Sequence, residues 1–214
     1  ATYTHQAAIQ QFGRMADLRP APTTDAIFAM VESGQAEFGV VPIENSNEGV
    51  VSHTLDLFVE SPLTIAAEIH VPIHHDLLSK QGELRAIRAV YSHPQALAQC
   101  EGFFRAHPHI RAQAEFDTAG AARKVRELGD RRLGAIASFA AASTYGLEVL
   151  ARGIQTQAGN STRFVEVGLH AVPVAEGARA KSSLLLVLAD RPGVLGEILQ
   201  ELARRGLNLT KLES

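Results

Sequence analysis

Apolar and polar positions along most of the chain alternate between helical spacing and short extended runs. Ala8, Ile9 and Phe12 share one face of a predicted helix, whereas Phe38–Pro42 is a continuous apolar run that predicts a buried parallel strand. The same reading predicts further helices over residues 23–33, 51–58, 92–104, 118–129 and 138–145, and further strands over residues 63–71, 87–91, 110–116, 133–137 and 163–167. This order predicts an α/β fold with parallel sheets covered by helices, in which ligands bind at the carboxyl ends of strands.

The end of the chain has a different organisation. Pro173–Ala180, rich in small residues, is the one convincing linker in the pattern. After it the pattern predicts a strand over Ser183–Ala189, a helix over Val194–Arg205 and a second strand over Leu207–Leu212. We therefore expect a second domain that begins here and stops before its sheet could close.

Composition narrows the class of protein. The 214 residues are 46% hydrophobic and 20% charged with a formal net charge of −3, which is typical of a globular protein and argues against a nucleic-acid or polybasic membrane partner. The longest apolar run, near Leu184–Ala189, is far shorter than the ~20 residues of a membrane-spanning helix. The single cysteine, Cys100, and the absence of a signal peptide predict a cytoplasmic protein. The chain starts in mid-pattern without a Met, as a fragment would.

Three polar segments, 42–49, 92–95 and 159–164, follow or border predicted strands. Each offers hydroxyl or amide donors beside a predicted helix start, where free backbone N–H groups favour anions. Arg163 adds a planar guanidinium that suits a carboxylate. Any one segment could simply cap a helix or turn. The shared placement of all three favours a binding cleft.

Four blocks of sequence resemble one known family. They are Gly39–Ser46, Thr54–Leu57, Ser92–Cys100 and Asn160–Phe164, and in order and spacing they are similar to the signature blocks of prephenate dehydratases. The tail, Asp190–Leu195 followed by Gly206–Ser214, resembles the start of the ACT regulatory domain found in that family.

The resemblance implies an α/β, two-lobed catalytic domain similar to type II periplasmic binding proteins, with a cleft, followed by an incomplete α+β ACT domain. The expected boundaries are residues 1–172 for the catalytic domain, 173–180 for the linker and 181–214 for the partial ACT domain. Within the catalytic domain, lobe one would contain about 1–70 and 160–172, and lobe two about 71–159. The implied reaction converts prephenate to phenylpyruvate, CO₂ and water, with no metal or other cofactor.

The resemblance also implies roles for individual residues. Thr162 would be the catalytic hydrogen-bond donor to the leaving hydroxyl, and Glu44 or His93 could be the ultimate proton source. The expected substrate-binding residues are Thr2, Thr4, Asn45, Ser46, Ser92, Gln95, Ser138, Asn160, Arg163 and Phe164. A partial site for phenylalanine, the expected allosteric effector, would comprise Gly193, Val194, Leu195, Glu213 and Ser214.

Several alternatives stay open. The substrate could be arogenate instead of prephenate, the domain could be a non-catalytic sensor of small acids, and a chorismate mutase domain could lie upstream. The family implies a homodimer or homotetramer, and a fragment with half an ACT domain should respond weakly to phenylalanine. A metal site at His70, His74 and His75 is disfavoured because the intervening residues predict an extended, solvated loop. Cys100 is expected to be a small core residue.

Overall fold

The structure is a computed structural model that describes residues 2–171, 173–175, 177–178 and 180–213. The chain divides into two compact units, Ala1–Pro173 and Val174–Ser214. The described part of the second unit contains one helix, Val194–Arg204 (α8). Among the residues that the structure describes, no helix has the length and apolar character needed to cross a membrane.

The first unit contains two sheets with helices on their faces. Its strands are Phe38–Asn45 (β1), Gly49–Val50 (β2), Thr64–Pro72 (β3), Asp76–Ser79 (β4), Ala89–Ser92 (β5), Arg111–Ala114 (β6), Leu133–Ala137 (β7), Glu148–Ala151 (β8) and Ser161–Gly168 (β9). Its α-helices are Tyr3–Phe12 (α1), Thr24–Glu32 (α2), Ser52–Glu60 (α3), Pro94–Gln99 (α4), Glu101–Ala106 (α5), Thr118–Leu128 (α6) and Phe139–Tyr145 (α7), and one 3₁₀ turn spans Leu84–Ala86.

The first lobe is a four-stranded sheet in the order β2-β1-β9-β3. The central strand β9 runs antiparallel to both β1 and β3. One face of this sheet packs Phe164 against α1, and the other packs Val165 and Val167 against α2 and α3. Because side chains alternate along a strand, even-numbered positions of β9 face α1 and odd-numbered positions face α2 and α3.

The second lobe is a five-stranded sheet in the order β6-β5-β7-β4-β8. Strand β5 pairs in parallel with β6 and β7, whereas β4 is antiparallel to β7 and β8. Helices α6 and α7 cover one face with a cluster that includes Val125 and Ala141, and α4 and α5 cover the other with Cys100 and Phe103. The second lobe therefore has the alternating strand–helix arrangement that the hydrophobic pattern predicted for the whole unit.

Two segments cross between the lobes, one after β3 and one before β9. They hydrogen-bond to each other, because Ile73 N donates to Asn160 O at 2.9 Å and Ile154 N donates to His75 O at 2.8 Å. The crossing segments thus form a short paired connection. Asn160 belongs to it and is followed directly by β9.

Several predicted elements differ from the structure. The prediction of parallel sheets is wrong for the first lobe, because β9 returns from the second lobe and separates β1 from β3. It is also wrong for β4 and β8 of the second lobe, which pair antiparallel. The pattern also missed β4 and β8, which are only four residues long. The helix predicted over 92–104 breaks at Cys100 into α4 and α5, and Asp117 rather than Thr118 caps α6 by accepting from Gly120 N.

The second unit also departs from the predicted pattern. The described residues within 183–189 and 207–212 form no strand, so both predicted strands are wrong in this structure. A strand is defined by a ladder of hydrogen bonds to a neighbouring strand, and within the described residues neither segment takes part in one. The helix prediction is confirmed, since α8 begins directly after Gly193, whose φ of +88° is a left-handed conformation that favours glycine.

Candidate active site

Thr162 and Asn45 form the centre of a polar cluster at one end of the first-lobe sheet. They lie opposite each other on β9 and β1, and Asn45 Nδ2 donates to Thr162 Oγ1 at 2.9 Å. The positions of Oδ1 and Nδ2 in the Asn45 amide are fixed by a second bond, in which Asn45 Oδ1 accepts from Asn47 N at 3.0 Å. Exchanging the two atoms would lose this bond. The Thr162 hydroxyl therefore acts as an acceptor. Its own hydrogen has no acceptor among the described residues, so Thr162 can still donate to a bound molecule.

Asn160 and Ser46 complete this cluster. Asn160 is 3% exposed, and its Oδ1 accepts from Asn45 Nδ2 at 2.9 Å and from Ser46 Oγ at 3.4 Å. Ser46 Oγ in turn accepts from Ser161 N at 3.0 Å. The structure thus brings together four of the predicted site residues, which are bonded to one another.

Gln99 on α4 connects the second lobe to this cluster. Its Oε1 accepts from Asn160 Nδ2 at 3.0 Å and lies 2.7 Å from His75 Nε2, while its Nε2 donates to Glu48 Oε1 at 2.7 Å. One side chain therefore contacts the β1–β2 turn and both crossing segments. This is the side-chain link that holds α4 against the first-lobe cluster.

His75 is buried and must be a donor at Nε2, because the atom it meets on Gln99 is an oxygen. Burial lowers the pKa of His75, although the bond to Gln99 opposes this effect. The ring is thus neutral near physiological pH, and its Nδ1 lies 3.4 Å from the hydroxyl of Tyr3. Tyr3 donates to the carbonyl of His74 at 2.6 Å, which attaches α1 to the same region. Burial also raises the pKa of Tyr3.

Arg163 lies on the opposite face of β9 from Thr162. Its Nε is 3.1 Å from Glu44 Oε2 on β1, and its NH1 is 3.3 Å from Glu68 Oε2 on β3. Glu68 also contacts His70 Nε2 at 2.5 Å. The guanidinium is therefore held between two carboxylates of the protein. This arrangement supports a site-ordering role for Arg163 more than direct substrate binding, and it places the Glu44 carboxylate away from Thr162.

The remaining first-lobe predictions fall outside the polar cluster. Phe164 is 2% exposed and packs in the core beneath α1. Thr2 caps α1 by accepting from His5 N at 3.2 Å, and Thr4 lies half-buried in the first turn of the helix. The structure shows no hydrogen bond between either threonine and the cluster.

The second-lobe residues lie at the carboxyl ends of β5 and β7. Ser92 is buried and donates to Ile136 O at 2.6 Å, and Ser138 caps α7 by accepting from Ala141 N. His93 caps α4 through Nδ1, which accepts from Gln95 N at 3.3 Å, while the Gln95 side chain is exposed. Ser138 and His93 therefore act as helix caps, whereas Ser92 bonds to the neighbouring strand β7 and caps no helix.

The histidine-rich segment is not the solvated loop that the pattern predicted. His75 is 3% exposed and Asp76, also buried, accepts from Gly153 N at 2.9 Å. Within the described residues, no three His, Cys, Asp or Glu side chains cluster closely enough to hold a metal ion. Cys100 is fully buried, and burial raises the pKa of its thiol to about 12.

The predicted phenylalanine-site residues lie in the second unit. Gly193 caps α8, which begins with Val194 and Leu195. Glu213 pairs with Lys211 at 3.2 Å, and Ser214 lies outside the described residues.

Sequence reasoning missed Gln99, His75, Glu48 and Tyr3. Gln99 lies inside the Ser92–Cys100 block, and its place in that block is the signal that could have pointed to it. Its partners come from three separate parts of the chain, and only the fold brings them together.

Solved structures resemble the chain over its whole length. Prephenate dehydratase from Arthrobacter aurescens, solved in complex with L-Phe, is 32% identical with a TM-score of 0.84, and the match covers 100% of this chain and 72% of that one. A structure described as GqqA, a novel type of quorum-quenching acylase, is 31% identical with a TM-score of 0.81, covering 100% and 77%. The predicted two-lobed, type II periplasmic-binding-protein-like fold is confirmed.

The sequence relatives described next share one name. The bifunctional chorismate mutase/prephenate dehydratases of Aquifex aeolicus and Neisseria gonorrhoeae are 42% and 41% identical over the whole chain, which covers 58% and 59% of their respective lengths. The family model for prephenate dehydratase matches residues 1–171, and the model for the ACT domain matches residues 182–214. These matches confirm the resemblance found in the sequence blocks, and the chain belongs to the prephenate dehydratase family.

Proposed function

We propose that the chain catalyses the decarboxylative dehydration of prephenate to phenylpyruvate, CO₂ and water. The observation that carries this proposal is the hydroxyl of Thr162, which accepts from Asn45 and keeps its own hydrogen free. In the reaction, the electron pair of the C–C bond to the departing carboxylate enters the ring as the C–O bond breaks. The leaving hydroxide needs a hydrogen-bond donor, and Thr162 is oriented to supply one.

The fixed environment of Thr162 suits this task. Asn45, itself bonded to Asn160, positions the Thr162 oxygen before substrate binds, which limits the protein reorganisation needed as charge develops. A threonine hydroxyl is a weak acid, and a second group must supply the proton that completes water. His93 is the better of the two predicted sources, because the Glu44 carboxylate pairs with Arg163 on the far face of the sheet.

The direct test is to incubate the purified chain with prephenate and follow phenylpyruvate by its ultraviolet absorbance in base. Thr162→Ala should abolish most of the activity, and Thr144→Val, which alters an exposed threonine on α7, should not. Product formed no faster than without enzyme would reject the proposal. Prephenate binding without turnover would favour the sensor alternative, and comparing kcat/KM for prephenate and arogenate decides the substrate.

Amide hydrolysis is a second candidate, because GqqA is similar over the whole chain. A hydroxyl nucleophile needs a base within hydrogen-bond reach. The partners of Thr162 and Ser46 in the described residues are amides and backbone groups, with no imidazole among them. The geometry therefore favours dehydration. Assaying release of a fatty acid from an N-acyl amide tests the alternative in the same preparation.

Regulation, assembly and location belong to the same proposal. The relative from A. aurescens was solved with L-Phe, and the match of residues 182–214 to the ACT domain supports phenylalanine as an effector that acts through the second unit. We place the protein in phenylalanine biosynthesis in the cytoplasm, as a homodimer or homotetramer. The relatives are named as bifunctional enzymes with chorismate mutase and prephenate dehydratase activities. We ascribe the dehydratase activity alone to this chain, because residues 1–171 match the prephenate dehydratase model.

A further inference from the structure

Strand β6 leaves an open edge on the five-stranded sheet. Among the described strands it pairs only with β5, and all four of its residues are exposed. Arg111 N donates to Arg88 O and Glu115 N donates to Ser92 O, so the odd-numbered residues of this segment direct their backbone groups inward. The N–H and C=O groups of Ala112 and Ala114 therefore point outward, where another strand could pair with them.

Apart from its shortness and the charges of Arg111 and Glu115, the edge lacks the features that usually prevent such pairing. No proline, glycine or lysine lies between Arg111 and Glu115, and the pairing of β6 with β5 is regular over its whole length. The opposite edge strand, β8, differs because its pairing with β4 shifts register at Leu77 and Leu78. Of the two edges, β6 is the regular one and is available for pairing.

The sequence of this segment is charge-complementary to itself. Residues 111–115 read Arg-Ala-Gln-Ala-Glu. An antiparallel pair centred on Gln113 sets Arg111 opposite the partner's Glu115 and Glu115 opposite the partner's Arg111. In the same register, the outward N–H and C=O groups of Ala112 hydrogen-bond to the C=O and N–H groups of the partner's Ala114. Centring the pair on Ala112 or Ala114 instead leaves both Arg–Glu pairs unmade.

The existing contacts are compatible with this register. Arg111 makes no ion pair within the described residues, and Glu115 pairs with Lys124 on the same face of the sheet. Glu115 would thus lie between two cations in the pair. Phe116, 87% exposed, falls opposite the partner's Ile110 and would lose exposure.

We propose that β6 is a self-association surface, and that two copies of the chain pair β6 to β6 about a two-fold axis through Gln113 to form one ten-stranded sheet. A pairing of five residues buries less than the roughly 1,600 Å² of a standard interface, so the dimer is reversible and depends on protein concentration. The proposal stands on the strand edge alone and does not depend on the proposed enzymatic activity.

A cysteine at the axis tests the register. Gln113→Cys sets two thiols directly opposite each other, and oxidation should give a disulfide-linked dimer on a non-reducing gel. Arg111→Cys is the matched control, because its two copies would be about 14 Å apart, beyond the reach of about 7 Å for a disulfide. Cys100 is buried, so the parent protein gives the background. Equal cross-linking at both positions, or none at position 113, would overturn the proposal.

Charge reversal tests the pairing without cysteine chemistry. In sedimentation equilibrium, Arg111→Glu should raise the dimer dissociation constant about tenfold, because it sets like charges opposite each other. The double variant Arg111→Glu/Glu115→Arg restores opposite charges and should restore the dimer. Glu148→Arg on the other edge is the control and should change nothing. Circular dichroism confirms that each variant is folded. A monomer at all concentrations, or a failure of the double variant to recover, contradicts the proposal.

Discussion

Thr162 and Arg163 are neighbours in the chain but lie on opposite faces of β9. Thr162 contacts Asn45 on the side of α1, and Arg163 lies between Glu44 and Glu68 on the side of α2 and α3. The strand geometry thus separates two residues that the sequence block presents together. They should have different effects when altered, one on chemistry and one on stability.

Replacing Thr162 should affect the chemical step. Thr162→Ala removes the free hydrogen, and we expect kcat to fall about 100-fold or more while KM changes much less. Thr162→Ser keeps a hydroxyl and should retain most of the activity. Steady-state kinetics with prephenate measure both. A Thr162→Ala enzyme with near-normal kcat would exclude the donor role.

Replacing Arg163 should affect stability first. Arg163→Met leaves two carboxylates without their shared cation, and we expect a loss of about 1–3 kcal/mol in the free energy of unfolding. Arg163→Lys should recover part of it. Thermal unfolding at pH 7 measures both variants. A normal Tm with a large rise in KM would instead indicate that Arg163 binds substrate.

Replacing Gln99 should disturb binding and chemistry together. Gln99→Leu leaves Asn160 Nδ2, His75 Nε2 and Glu48 without a shared partner. Because Asn160 also orients Asn45, we expect a higher KM and a lower kcat in the same variant. Glu48→Gln is the control, since it keeps an oxygen acceptor for Gln99 and should have a small effect. Unchanged kinetics in Gln99→Leu would show that the inter-lobe link is dispensable.

Glu166 should make stability fall as the pH rises. Burial beneath α1 raises its pKa, although the bond from Gln11 Nε2 at 2.7 Å opposes this. The folded state therefore binds the proton more tightly than the unfolded state, and stability is lost as the pH rises above the ordinary glutamate range. Glu166→Gln should raise Tm by a few degrees at pH 7 and by nothing at pH 4.

The control for this prediction is Glu60→Gln, an exposed position on α3 where removal of the charge should have little effect at either pH. A lower Tm for Glu166→Gln at pH 7 would mean that the carboxylate stabilises the fold.

The four-residue cluster around Thr162 was predictable from sequence because its members lie in compact blocks that end or begin strands. The antiparallel first-lobe sheet was not, since the position of β9 between β1 and β3 depends on a return from the second lobe. Gln99 was missed for a related reason: a glutamine on a short helix gives no local sign of what it will contact. His75 was also missed, because the strand that follows it, β4, is too short to show a hydrophobic period.

The paired crossing segments have a mechanical consequence. Any rotation of one lobe against the other must bend residues 72–75 and 152–160 together, because the two are hydrogen-bonded to each other. Asn160 is part of this hinge and also part of the support for Thr162 through Asn45. Bending at this connection would therefore also shift the residue that supports the donor. A substitution that stiffens or loosens the hinge will appear in kcat as well as in affinity, even when it touches no substrate atom.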